Sequence, residues 1–219
     1  MTQNNADDIA DFGFRSVPRE EKSTLVREVF DSVAGKYDIM NDLMSLGIHR
    51  LWKREFLTAL DPRPYHKLLD LAAGTGDITF DWLKRGGGPV VMSDINDSML
   101  NVGRDRATAN GHLADIEFLV TDAEAIPLPD ASFDRISMAF GLRNCTNKDK
   151  VIAEAQRLLR PGGRFMVLEF SQLQIAGLER LYDAWSFQAL PKIGGIIAKD
   201  SASYQYLAES IRMFPKQEA

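Results

Sequence analysis

Apolar positions change period several times along this chain, and each change marks an element. From Ser23, which reads as an N-cap, Leu25, Val26, Val29, Phe30 and Val33 recur on one helical face, and Gly35 stands where a left-handed C-terminal residue belongs. Residues 37–47 and 48–56 read as two further helices, the second amphipathic through Ile48, Leu51, Trp52, Glu55 and Phe56. The period then shortens. Residues 68–73, 89–94, 116–122, 133–140 and 164–170 are apolar runs of strand length, and helical stretches over 77–85, 97–110 and 149–159 separate them. Strands and helices alternating at this pitch predict an α/β fold, a parallel sheet with helices on both faces. Right-handed crossovers then bring the carboxyl ends of all strands to one edge.

The same pattern divides the chain. Residues 1–22 are polar and read as a mobile tail, 23–65 as a helical N-terminal extension, 66–170 as the sheet core. Over 171–219 the rhythm stops; Leu178, Leu181, Tyr182, Trp185 and Leu190, and then Tyr204, Leu207, Ile211 and Phe214, predict helices placed as a lid. Residues 1–219 are expected to form one domain. The fifth strand is very apolar for an edge, which predicts two further strands beyond residue 219 or a partner covering it.

Composition narrows the classes. An apolar share of 45% and a charged share of 26% are those of a globular protein. A net charge of −5 argues against a nucleic-acid partner, whose footprint is basic. One cysteine, Cys145, excludes an internal disulfide and suits a reducing cytoplasm. No run of about eighteen apolar residues predicts a membrane span, and the N-terminus lacks the apolar core of a signal peptide.

The stretch that carries chemistry is Leu69-Asp-Leu-Ala-Ala-Gly-Thr-Gly-Asp77. A buried strand stops at Gly74, and Gly74 and Gly76 let a ligand approach the backbone without a Cβ in the way. Twenty residues on, Asp94 ends the second strand, where a carboxylate accepts from the two hydroxyls of a ribose. The third glycine of a dinucleotide loop falls on Thr79, and Asp77 puts negative charge where a pyrophosphate would sit. A nucleoside without phosphates fits better, with S-adenosylmethionine its natural form and a nicotinamide cofactor disfavoured. Nothing in the pattern asks for a metal.

Taken together, these stretches resemble the class I S-adenosylmethionine-dependent methyltransferases, with their Rossmann-like sheet. More narrowly, Tyr37-Asp-Ile-Met-Asn-Asp-Leu-Met-Ser-Leu-Gly-Ile-His-Arg-Leu-Trp52 and Arg157-Leu-Leu-Arg-Pro-Gly-Gly-Arg-Phe-Met-Val-Leu-Glu-Phe170 are similar to the ubiquinone/menaquinone biosynthesis C-methyltransferases, the UbiE type. Ser93-Asp-Ile-Asn96 and Phe140-Gly-Leu-Arg-Asn144 stand between them. Members of that family usually continue past this point with a helix and two strands. The resemblance implies methylation of a ring carbon on a polyprenylated benzoquinol or naphthoquinol, a lipid-soluble substrate met at the cytoplasmic membrane surface. It implies that Thr75, Asp94 and the pair Asp122-Ala123 hold the methyl donor, Gly74 and Gly76 framing the loop. Ala139 stands where some relatives have serine.

Methylating carbon requires a nucleophilic ring, so a quinol hydroxyl must lose its proton. Arg143 and Asn144, just past the fourth strand, match the family's catalytic pair; a cation at Arg143 would stabilise a phenolate or orient a water. By residue type alone Arg143 pairs equally well with a carboxylate. His49 is the conventional base candidate, more simply structural, and Tyr37 and Asp38 are pocket candidates. Arg50, Lys53 and Arg54 read as a solvated helix face that also suits anionic headgroups. Methyl transfer to oxygen or nitrogen of another small apolar molecule stays open, as does a non-catalytic donor-binding subunit, and as assembly either a homodimer or a quinone-biosynthesis complex.

Overall fold

A computed structural model describes residues 8–33, 37–171, 185, 187 and 201–215. The elements are β1 (Ile9–Phe12), β2 (Arg15–Pro18), α1 (Arg19–Val33), α2 (Tyr37–Ser45), α3 (His49–Leu60), β3 (Leu68–Leu71), α4 (Asp77–Lys84), β4 (Val90–Asp94), α5 (Asp97–Asn110), β5 (Ile116–Val120), β6 (Phe133–Ala139), α6 (Lys148–Leu158), β7 (Leu159–Leu168) and α7 (Ser201–Met213). Two compact units emerge, residues 48–169 and residues 1–47 with 170–219.

In the first unit, five parallel strands lie in the order β5-β4-β3-β6-β7. Leu68, Leu69 and Leu71 of the central strand have no solvent exposure, as a strand covered on both faces requires. Leu68, Val90 and Ile78 pack with Trp82 of α4 and with Phe56, Leu57 and Leu60 of α3. The indole of Trp82 is fully buried and donates to Gly88 O at 2.9 Å, so its one polar atom is satisfied. Met92, Leu100, Ala107 and Ile116 form a second cluster between the sheet and α5.

Local signals end the helices as their chemistry dictates. The Asn96 side chain accepts from Met99 N and starts α5, Gly111 closes it in the left-handed region, and Asn147 caps α6 by accepting from Lys150 N. Two expectations shift. The run Pro161-Gly-Gly163 does not precede the last strand but lies inside β7, whose pairing jumps from Phe133↔Leu159 to Arg135↔Arg164. An irregularity absorbs the extra residues, as a bulge does. Ile48, just ahead of α3, and Leu51 and Trp52 on it face solvent, and His49, Lys53, Phe56, Leu57 and Leu60 form the buried face. The helix runs four residues past Phe56, and Leu57 and Leu60, beyond the stretch read as helix, rotate the true apolar stripe away from Leu51.

The second unit corrects the tail. Residues 9–18 are a two-stranded antiparallel hairpin with Ile9 opposite Pro18 and Phe12 opposite Arg15. The two-residue turn starts at Gly13 with φ +60°, a hairpin conformation that suits glycine. The Phe12 ring stacks on Tyr206 of α7 at 4.1 Å, and Phe14 N donates to Glu209 Oε2 at 2.9 Å. Helix α1 begins at Arg19, ahead of Ser23, with Glu20 and Glu21 in the first turn where the helix dipole favours acids. Of the helices the sequence predicts over 171–219, α7 forms and meets the hairpin within its own unit, whereas Leu178, Leu181, Tyr182 and Leu190 lie outside the described residues, as does Gly35.

Candidate active site

Gly74, Thr75, Gly76, Asp94, Asp122, Ala123, Arg143 and Asn144 all fall at the carboxyl edge of the sheet or in the loops that leave it. Following the strand order, the edge presents Asp122 and Ala123 after β5, Asp94 at the end of β4, the loop 72–76 after β3, Arg143 and Asn144 after β6, and Glu169 after β7. Parallel strands make this convergence unavoidable.

The glycine loop is held tightly. Gly74 N donates to Asp94 Oδ2 at 2.8 Å, and Asn96 N donates to Asp94 Oδ1 at 2.9 Å. Burial raises the Asp94 carboxyl, and these backbone donors only partly offset it. Two carboxylate oxygens at a strand end are what the two hydroxyls of a ribose would need as acceptors. Gly76 sits at φ +91°, and a Cβ on it would lie 2.8 Å from the Phe80 ring. Gly141, at the neighbouring strand end, leaves no more room: a Cβ there would stand 2.6 Å from that of Ala72. Ala72 at φ +49° and Phe140 at φ +60° are both left-handed, strained conformations just past the ends of β3 and β6.

Three groups that sequence reading missed brace this loop. Arg106 of α5 donates from Nη1 to Thr75 O and Oγ1, each at 3.0 Å, and to Asp77 Oδ1 at 2.9 Å. Lys53 donates to Asp77 Oδ2 at 2.6 Å with its side chain 9% exposed, so it is no part of a solvated face. Burial alone would raise Asp77, but the two cations outweigh it and hold the carboxyl below its usual range. Beneath the loop, Asp70 on β3 accepts from Thr79 Oγ1 at 2.8 Å and Ser137 Oγ at 2.7 Å, and burial pushes its carboxyl up to about 6. Thr79 fills the third-glycine slot because its hydroxyl is a ligand of this buried carboxylate.

Asp122 lies exposed in the turn after β5, its Oδ1 accepting from Glu124 N at 2.9 Å, next to Ala123. Thr121 N donates to Asp94 O at 3.0 Å, which ties that turn to the end of β4. Arg143 and Asn144 lie in a short 3-10 turn, Leu142–Asn144, and both are buried. Arg143 Nη1 donates to Glu169 at 2.8 Å and 3.2 Å and to Phe140 O at 2.6 Å. The carboxylate partner weighed for Arg143 thus exists, at a strand end like Asp94 and Asp122; that shared placement is the signal by which Glu169, unassigned from the sequence, could have been found. Arg106 and Lys53 gave none, being cations on ordinary amphipathic helices. His49 is buried on α3, and the side chains of Tyr37 and Asp38 lie outside the described residues.

A glycine loop braced at the carboxyl edge of a five-stranded parallel sheet is the arrangement of the class I methyltransferase fold. The fold agrees with a solved S-adenosylmethionine-dependent methyltransferase from Aquifex aeolicus, similar with a TM-score of 0.52 over 68% of this chain and 78% of that one at 22% identity, a likeness of fold alone. Residues 17–219 match the model of the ubiE/COQ5 methyltransferase family, and the chain belongs to that family. It is 66% identical over 208 residues to the ubiquinone/menaquinone biosynthesis C-methyltransferase UbiE of Acidiphilium cryptum, covering 95% of this chain and 84% of that protein. To the protein of the same name from Hydrogenovibrio crunogenus it is 57% identical over 210 residues, 95% of this chain and 83% of that one. The protein is therefore an S-adenosylmethionine-dependent methyltransferase.

Proposed function

We propose that this enzyme methylates a ring carbon of a polyprenylated benzoquinol, naphthoquinol or both in ubiquinone and menaquinone biosynthesis, residues 1–219 acting as one methyltransferase domain. The observation that carries the reading is the 66% identity, across 95% of the chain, to a C-methyltransferase of that name. Bound S-adenosylmethionine supplies a methyl group activated by its sulfonium. Asp94 would accept from the ribose hydroxyls, the backbone of Gly74, Thr75 and Gly76 would leave room for the nucleoside, and Asp122 and Ala123 would help hold the donor. Arg143, with Asn144 beside it, stabilises the negative charge that appears on the quinol oxygen as its proton leaves. Excluding water from this edge strengthens that attraction.

The lipid substrate calls for contact with a membrane surface. No described helix is long and apolar enough to cross a membrane. Helix α3 instead turns Leu51 and Trp52 outward at 55% and 38% exposure, with Arg50 and Arg54 on the same exposed side. Aromatic and aliphatic side chains flanked by arginines suit the boundary of an anionic bilayer.

The deciding experiment incubates the protein with S-adenosylmethionine and reduced benzoquinol and naphthoquinol precursors and identifies products by mass spectrometry. A product heavier by one methyl, carried on ring carbon, is the expected result. Methylation found only on oxygen would replace this reading with that of an O-methyltransferase. Sedimentation with anionic vesicles, reduced in a Leu51→Ser, Trp52→Ser variant, tests the membrane face.

A further inference from the structure

We propose that Glu169 is the proton acceptor of the reaction, taking the quinol hydroxyl proton while the adjacent Arg143 holds the resulting phenolate. The inference rests on the quinol reading above and names the base that reading needs. Arginine stays protonated at every working pH, so Arg143 stabilises a phenolate but removes no proton. The carboxylate that touches it is Glu169, whose two oxygens lie 2.8 Å and 3.2 Å from Arg143 Nη1. The two side chains are 6% and 1% exposed, at the carboxyl ends of adjacent strands β7 and β6.

Charge accounting favours this acceptor. A buried Arg143–Glu169 pair beside a neutral quinol sums to zero. Moving the hydroxyl proton onto Glu169 leaves a guanidinium, a neutral carboxylic acid and a phenolate, again zero. No net charge develops in a region that solvates charge poorly, which a lone arginine does not achieve. Burial raises the Glu169 carboxyl, Arg143 lowers it and Lys148 at the start of α6 lowers it further, the outcome lying above the ordinary value. That shift moves its basicity toward neutral pH, as a general base requires.

The step balances. The quinol O–H bond breaks and its proton goes to a Glu169 oxygen. The ring carbon forms its bond to the methyl group as the carbon–sulfur bond of the donor breaks, the electron pair staying on sulfur. The methylated ring then gives up its carbon-bound proton to water, its oxygen takes the proton back from Glu169, and the pair returns to its starting charge.

The test compares two quinols on the full chain: an ordinary one, and a ring-fluorinated analogue whose hydroxyl is already ionised at the assay pH. In Glu169→Gln, turnover of the ordinary quinol is expected to fall about 100-fold or more, the scale of general-base catalysis. Turnover of the ionised analogue should stay within about fivefold of wild type, because its proton is already gone. Calorimetry without donor should find the analogue bound at least as tightly, since Arg143 has lost its counter-charge, and S-adenosylmethionine affinity unchanged. Equal losses for both quinols make Glu169 a support for Arg143 and overturn the proposal, as does an unimpaired variant. If Glu169→Gln does not fold, the wild-type pH profile decides: an acidic limb for the ordinary quinol and none for the analogue supports the proposal, and the same limb for both overturns it. A wild-type enzyme that binds donor but methylates neither quinol overturns the quinol reading and this inference with it.

Discussion

The amide of Gly74 donates to the carboxylate of Asp94 at 2.8 Å, joining a loop after β3 to the end of β4 across twenty positions of sequence. The same carboxylate therefore shapes the glycine loop and is the proposed acceptor for the donor's ribose. Asp94→Ala removes both functions at once. Hydrogen bonds to a charged group contribute about 1.5–3 kcal/mol each, so donor affinity should fall at least about 30-fold. Calorimetric titration with S-adenosylmethionine checks it, and an unchanged dissociation constant would remove Asp94 from the donor site.

Arg143→Met should cut quinol turnover by about 100-fold or more with donor affinity kept within a few-fold. It should also cost stability, about 3–5 kcal/mol, because Glu169 is left as a buried charge without its partner. That loss should shrink as pH falls through the raised Glu169 value, since a protonated carboxyl needs no counter-ion. Thermal unfolding across pH reads the effect; a deficit that is flat with pH would mean Glu169 is already neutral.

Asp70 gives the opposite pH signature from an ordinary ion-paired carboxylate. Its value rises from 3.8 in a free chain to about 6 when folded. Below pH 4 both states hold the proton. Between about 4 and 6 the unfolded chain releases it and the folded one does not, so stability falls as pH rises and levels off above 6. Two units correspond to about 3 kcal/mol. Asp70→Asn, which keeps polar partners for Thr79 and Ser137, should match wild type near pH 4 and be more stable at pH 7. A variant less stable at pH 7 would show that the ionised carboxylate is needed to hold β3, β6 and α4 together.

Asp77 behaves conventionally. Lys53 and Arg106 hold its carboxyl low, so the stabilisation is present above the free value and is lost as pH falls through the lower folded one. Arg106→Met also strips Thr75 of its bonds at 3.0 Å. Donor affinity should drop about 3- to 10-fold, as expected for one or two partly exposed charge-assisted bonds. Titration of Arg106→Met and Lys53→Met separates the two braces: a loss confined to Lys53→Met would put the weight on α3 in place of α5.

Much of the site was legible because it lies on strand ends. Asp94 and Asp122 follow apolar runs and are conspicuous there, and the glycines mark the loop by composition alone. Glu169 ends an equally apolar run and escaped notice only because no glycine loop stands beside it. Arg106 and Lys53 were illegible for another reason. A cation on an amphipathic helix looks solvated whatever it touches, and its partner Asp77 is 29 residues from one and 24 from the other. The hairpin over residues 9–18 was hidden because strands of four residues carry little periodicity, and its stability comes from Phe12 against Tyr206, distant in sequence.

By itself, the sequence determined the alternation of strands and helices, the parallel sheet, and the carboxyl edge where chemistry collects. These follow from local periodicity and glycine placement, which act within a few residues. Tertiary structure decided which face of α3 is buried, that Thr79 serves Asp70, and that Arg143 meets Glu169. Those depend on contacts between elements, where burial and charge pairing compete over distances that no local pattern records.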